Sequence, residues 1–175
     1  RRSQRDDAFR HRHDAQWPND VIVNDLKLAG ILAERDSASG TVVLGVGLNV
    51  NVTPADLKTA NLRTTATSMR IVADKPFPLE PVRDKLISSL QNTLNTAGRE
   101  GPEWIASQWS AADWLAGHSI EISGQTGMAR GVYAGTDGTG ALRLIDESGT
   151  TSSFFSGDVT RLRRCRIREG GTPET

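Results

Sequence analysis

Between Asp20 and Val52 the chain reads strand, turn, strand, loop, strand, and that order constrains the fold more than any other feature. Val21 to Val23 is a short β-branched run, and Asn24-Asp25 is turn chemistry. Lys27 to Glu34 (KLAGILAE) reads as the return strand of a hairpin. Arg35 to Gly40 is a loop, and Thr41 to Val52 (TVVLGVGLNVNV) is a long run suited to a third strand. An antiparallel meander of at least three strands is expected.

A helical stretch follows. Pro54 to Ser68 reads as loop and short helix. In PLEPVRDKLISSLQNTLNTAG, residues Leu79, Val82, Leu86, Leu90 and Leu94 recur at spacings of three and four, so an amphipathic helix is expected, with Gly98 as its stop. GPEWIASQWSAADWL reads as a second helix with Pro102 in its first turn and Trp104, Ile105, Trp109 and Ala112 on one buried face. The three tryptophans of this stretch, Trp104, Trp109 and Trp114, read as core. From Gly117 the pattern changes to five short alternating segments punctuated by glycine, the signature of a small SH3-like β-barrel. The fold class expected is α+β. Residues 1–15 are weakly patterned, 16–114 form the first domain, 115–168 the barrel, and 169–175 a disordered tail.

Charge and cysteine content narrow the function. Lys+Arg and Asp+Glu both number 21, so no global field points to nucleic acid. Arginines cluster at 1–13 and 161–168, and such terminal runs read as solvated ends. The single cysteine, Cys165, excludes an intrachain disulfide and fits a reducing compartment. No apolar run reaches the ~18 residues a membrane span needs, and the arginine-rich start is no secretory signal. A cytoplasmic location is expected, with no membrane or nucleic-acid partner. His11 and His13 lack a third ligand nearby, which argues against a metal site there.

Three local signals carry chemistry. In WPND, Pro18 fixes its own φ and presses Trp17 toward extended backbone, presenting Asn19 and Asp20 at the start of a strand. The plain alternative is that these two residues bond only the backbone. Strict alternation puts Lys27 on one face with Ala29, Ile31 and Ala33, and Gly30 on the other with Leu28 and Leu32. That Lys reaches either an anion or water. Gly45 and Gly47 stand two apart in a strand of β-branched residues, where glycine weakens the strand. Either a ligand lies against the backbone there, or a bulge or tight helix packing explains them. Asn49 shares their face.

Taken together, WPND, K-x-A-G-I-L-x-E and G-x-G-x-N-x-N resemble, in order and spacing, the catalytic core of the biotin protein ligases. The resemblance extends from about residue 17 to 168. It implies a partial biotin/lipoate ligase-like catalytic domain, an antiparallel or mixed sheet with helices, followed by the family's small barrel. The implied activity joins biotin to a lysine of a biotin carboxyl carrier protein, the acetyl-CoA carboxylase subunit, through biotinyl-AMP. Biotin, ATP and Mg²⁺ are the implied ligands. The resemblance makes Lys27 and Asp20 the catalytic candidates, with Asp20 also the candidate metal ligand. Asn19, Lys27, Gly30, Gly45, Gly47 and Asn49 become the biotin and adenylate contacts. The family's Gly-Arg-Gly-Arg-x-Gly-Arg loop has no counterpart in the sequence, and Gln16 stands where the family commonly has Lys. A truncated, incompetent binding or homodimerising module is therefore the alternative. A lipoate-attaching relative is disfavoured by the pairing of WPND with GVGLNVN.

Overall fold

The computed structural model describes residues 13–60, 65–124 and 127–162. Cys165, His11 and most of the two arginine runs lie outside the described residues. The chain divides into two compact units between Trp114 and Leu115.

The first unit holds a four-stranded antiparallel sheet in sequential order: β1 (His13–Gln16), β2 (Asp20–Val23), β3 (Leu26–Arg35) and β4 (Val42–Leu48). β1 takes in residues 13–15, which carry little sequence pattern of their own. Pairing with β2 makes them a strand, since Asp14 faces Ile22 and Ala15 faces Val21 across the ladder. The β2–β3 turn is two residues long, with Asn24 at φ 51° and Asp25 at φ 62°. Left-handed backbone at both positions matches the twist of the flanking strands, and Asn and Asp tolerate it.

β4 is shorter than the expected run of twelve residues. It ends at Leu48 because the segment after it turns to bond elsewhere. Asn49 N–H still donates to Leu28 O at 3.1 Å, but Asn49 O accepts from Met69 and Val50 O accepts from Arg70. Where β4 leaves off, Thr65–Thr67 runs parallel to Lys27, with Lys27 N–H donating to Thr65 O at 3.0 Å and Thr67 N–H to Lys27 O at 2.9 Å.

Four helices complete the unit: α1 (Pro54–Thr59), α2 (Met69–Ala73), α3 (Leu79–Glu100) and α4 (Pro102–Ala112). Thr53 and Asp56 form a reciprocal capping box on α1, and Ser68 Oγ caps α2 through Ile71 N–H. α3 runs through Gly98 rather than stopping there, and the break falls at Gly101, whose φ is +82° and which is followed by Pro102. One helix glycine costs only about 1 kcal/mol, whereas a left-handed Gly next to Pro ends the hydrogen-bond ladder. α3 packs on α4, and α4 lies along β1. Neither helix has a buried residue. The face expected to be buried on α4 is only half covered, and Ile105 is 51% exposed.

The second unit is an antiparallel five-stranded sheet, β5 (Ser119–Gly124), β6 (Gly127–Thr136), β7 (Leu142–Ile145), β8 (Thr151–Phe154) and β9 (Asp158–Arg161), ordered β8-β7-β6-β5-β9. All five glycine-bounded segments are strands. Ile120, Ile122, Leu142 and Leu144 alternate inward and are fully or almost fully buried, with Tyr133 beside them among the buried residues. Gly131 is required by close approach: a Cβ there would stand 2.2 Å from Ile145 O. His118 stands just ahead of β5, its Nδ1 2.9 Å from Ala116 O.

Candidate functional site

The WPND segment connects β1 to β2, with the Trp17–Pro18 peptide cis and Trp17 buried. Asn19 does what the plain alternative expects. Its Nδ2 donates to Ile31 O at 2.8 Å, and its own carbonyl accepts from Ile31 N–H at 2.8 Å. This double tie fixes the start of β2 against the middle of β3 and leaves Asn19 exposed.

Asp20 lies directly opposite Gly30, and Ile22 opposite Lys27, with a bulge between because Val21 already faces Ala29. β3 thus contributes Leu28 as an extra residue. The bulge overturns the expected alternation: Lys27 lies on the face of Gly30, not on that of Ala29. A Cβ built at Gly30 would sit 3.4 Å from Lys27 Nζ and 3.3 Å from Asp20 Oδ1. The Lys27 ammonium stands 2.6 Å from Asp20 Oδ1, with the side chains 34% and 14% exposed. That carboxylate oxygen is buried, and the ammonium is its partner among the described residues.

Gly30 continues into a floor without side chains. It pairs with Gly47, and the next pair on the same face is Leu32 with Gly45. Among the described residues, a Cβ at Gly47 would meet only Gly30 O at 3.9 Å, and one at Gly45 only Leu32 at 3.9 Å or beyond. Both glycines are exposed. Among the described residues neither a bulge nor packing against a helix accounts for them, so the open-floor reading remains. The floor has a cation at one end and hydrocarbon at the other, where Leu32 is 56% and Val43 61% exposed.

Asn49 is partly committed to the framework, donating from Nδ2 to Thr67 O at 3.0 Å. Behind it lies a polar network that the sequence reading missed. Thr67 and Ser68 are buried, and Ser68 Oγ donates to Val52 O at 2.6 Å while capping α2. Asn51 clasps Phe77, donating to its carbonyl at 2.7 Å and accepting from its N–H at 2.9 Å. The available signal was Ser68 ahead of the apolar Met-Arg-Ile-Val run, an N-cap in position. The indole of Trp114 reaches back to Asp25 Oδ1 at 2.8 Å and holds the β2–β3 turn to the end of α4.

An antiparallel hairpin-and-helix unit with a cation beside a glycine floor is the class that fold and site define. Residues 8–51 match the model of the Biotin/lipoate A/B protein ligase family, so the family likeness reaches upstream of WPND. Within that class the chain is similar to several biotin protein ligases. It is 32% identical over 149 residues to the biotin–[acetyl-CoA-carboxylase] ligase of Mycobacterium tuberculosis, covering 85% of this chain and 53% of that protein. The chain spans about half the length of the curated relatives it matches. The biotin protein ligase of Aquifex aeolicus shares the fold, with a TM-score of 0.71 at 20% identity over 86% of this chain and 65% of that one. The same enzyme in complex with biotin and ATP superposes with a TM-score of 0.69 at 21% identity, over 87% and 62% of the two chains.

Proposed function

We propose that this chain carries part of a biotin–protein ligase, activating biotin with ATP and passing it to a lysine of a biotin carboxyl carrier protein. The observation that carries the reading is the open Gly30–Gly45–Gly47 floor with the Lys27 ammonium at its head. A ligand with a carboxylate at the end of an apolar chain suits such a floor. In this reading 16–114 is the later part of the family's catalytic domain and 115–168 its SH3-like final domain, while the tail expected at 169–175 lies outside the described residues.

The reaction follows from the charges. A biotin carboxylate oxygen attacks the α-phosphorus of ATP, and the bond to pyrophosphate breaks. Two anions must approach, and Lys27 lowers that barrier by pairing first with the carboxylate and then with the phosphate oxygens. The carrier lysine then attacks the acyl carbon, AMP departs, and Asp20 accepts the amine proton. The glycine floor lets backbone groups approach biotin, and Asn19 and Asn49 border the nucleotide. Mg²⁺, when bound, screens phosphate charge. Among the described residues no three His, Cys, Asp or Glu gather. Asp20 would be the protein's ligand to such an ion, the remaining positions being left to phosphate and water, as is common for Mg²⁺.

A second reading is favoured by the exposed apolar residues of β3 and β4: a ligase-like module that binds or dimerises without catalysis. No helix among the described residues is long and apolar enough to cross a membrane, and a cytoplasmic enzyme without nucleic-acid partners remains part of the proposal. Incubation with ATP, Mg²⁺, biotin and a carrier domain, read with avidin, separates the two. Labelled carrier supports the ligase, and unlabelled carrier leaves the binding module.

A further inference from the structure

Asp20 and Lys27 form a closed pair at the head of the floor. The ammonium there already has a carboxylate at 2.6 Å, on a buried oxygen with no other partner among the described residues. An incoming ligand carboxylate would be the second anion on one cation, and like charges that close repel. Gly30 bears on the same contact, because a methyl group there would crowd Asp20 Oδ1 at 3.3 Å and touch Lys27 Nζ at 3.4 Å.

We propose that Asp20 is an internal competitor for Lys27, a carboxylate that holds the ammonium until an anionic ligand displaces it and so sets the affinity for the ligand's charge. The inference rests on the biotin reading of the floor. It goes beyond that reading by giving Asp20 a role before any chemistry, in ligand selection. Displacement also frees the Asp20 carboxylate at the moment the ligand arrives, so one residue serves as gatekeeper first and as proton acceptor later.

Two measurements on the full chain, without nucleotide or metal, test it. The first needs no ligand: competitive acetylation of lysines read by mass spectrometry, with Lys58, Lys75 and Lys85 as internal references. An ion-paired ammonium acylates slowly, so Asp20→Asn should raise Lys27 labelling several-fold relative to the references. The second is calorimetric titration with biotin and with the uncharged biotinamide. Asp20→Asn should tighten biotin by about threefold or more, the scale of a partly exposed ion pair, and leave biotinamide unchanged. In Lys27→Met the two ligands should bind alike. Unchanged Lys27 labelling in Asp20→Asn, or biotin bound no tighter, overturns the competitor role. Raised labelling with neither ligand bound by any variant also overturns it, and in that case the failure lies in the biotin reading rather than in the ion pair.

Discussion

At the scale of single residues, the site is defined as much by what Gly45 and Gly47 lack as by what Lys27 supplies. A floor glycine kept for packing and one kept for a ligand respond oppositely to a larger side chain. Val at position 47 has room among the described residues and favours a strand. Gly47→Val is therefore expected to leave the melting temperature unchanged or raised. Biotin binding should weaken about tenfold or more, as overfilling a contact costs ~1–3 kcal/mol. Equal loss of stability and binding would return the glycine to a packing role. Lys27→Ala should slow biotinyl-AMP formation by about 100-fold or more, measured by pyrophosphate exchange, if its charge acts on the transition state. Residue types and spacing single out these positions in the sequence, and the structure gathers Lys27, Gly30, Gly45 and Gly47 on one face. The direction of Lys27 was not readable, because a bulge leaves no compositional trace and alternation then assigns the wrong face.

Among the elements, polar fasteners rather than apolar packing secure the segments behind the site. Ser68 caps α2 and bonds Val52 O, and Asn51 ties the chain to Phe77 in both directions. Ser68→Ala and Asn51→Ala are each expected to lower unfolding free energy by about 1–2 kcal/mol in urea titration. Neither should alter the second unit's own transition. Three hairpin loops share another device. Ser39 Oγ and the Ala38 and Ser39 N–H groups hold the Asp36 carboxyl below its ordinary value of 3.8. Thr139 does the same for Asp137 and Ser148 for Asp146, each helped by backbone N–H groups. A depressed folded value means stabilisation that is complete above the ordinary carboxylate pKa and fades as pH falls through the lowered one. Melting temperature should thus drop below about pH 4, and Asp137→Asn with Asp146→Asn should flatten that dependence. Strands and turns of this kind were legible because Gly, Asn and Asp mark turns chemically. The end of α3 was not, since a lone Gly98 looks like a stop, and only backbone sign at Gly101 settles the matter.

For the whole molecule, both units expose apolar residues, Met128, Val132 and Phe155 in the second among them, but the second buries the longer apolar row. The second has an inward row of Ile120, Ile122, Leu142 and Leu144. The first exposes Leu32, Val42, Val43 and Leu44 on its sheet and Leu79, Ile87, Leu94 and Ile105 on its helices. β4 is also a sheet edge, with unpaired backbone on its outer side among the described residues. Such a surface favours association. Sedimentation velocity is expected to show mass rising with concentration, and Leu32→Thr with Val43→Thr to reduce it. A concentration-independent monomer would remove the prediction. The sequence could not reveal this exposure. Periodicity identifies an apolar stripe on α3 but not whether anything meets it.

The bulge at Leu28 has a further consequence. Two residues separate Lys27 from Gly30, so in a regular ladder they would point apart, and Leu28 would take the place at the head of the floor. The same amino acids slipped by one step would present hydrocarbon where the charge now stands. The bonds of Lys27 to Thr65 and Thr67, and of Leu28 to Asn49, hold one step against the other. Two copies of this chain, identical in every letter, would differ in whether an ammonium or hydrocarbon heads the floor if those three contacts differed. The charge at the head of the floor is thus set by register as well as by composition, and residues 65–67, outside the motif, bond to the strand where that register is fixed.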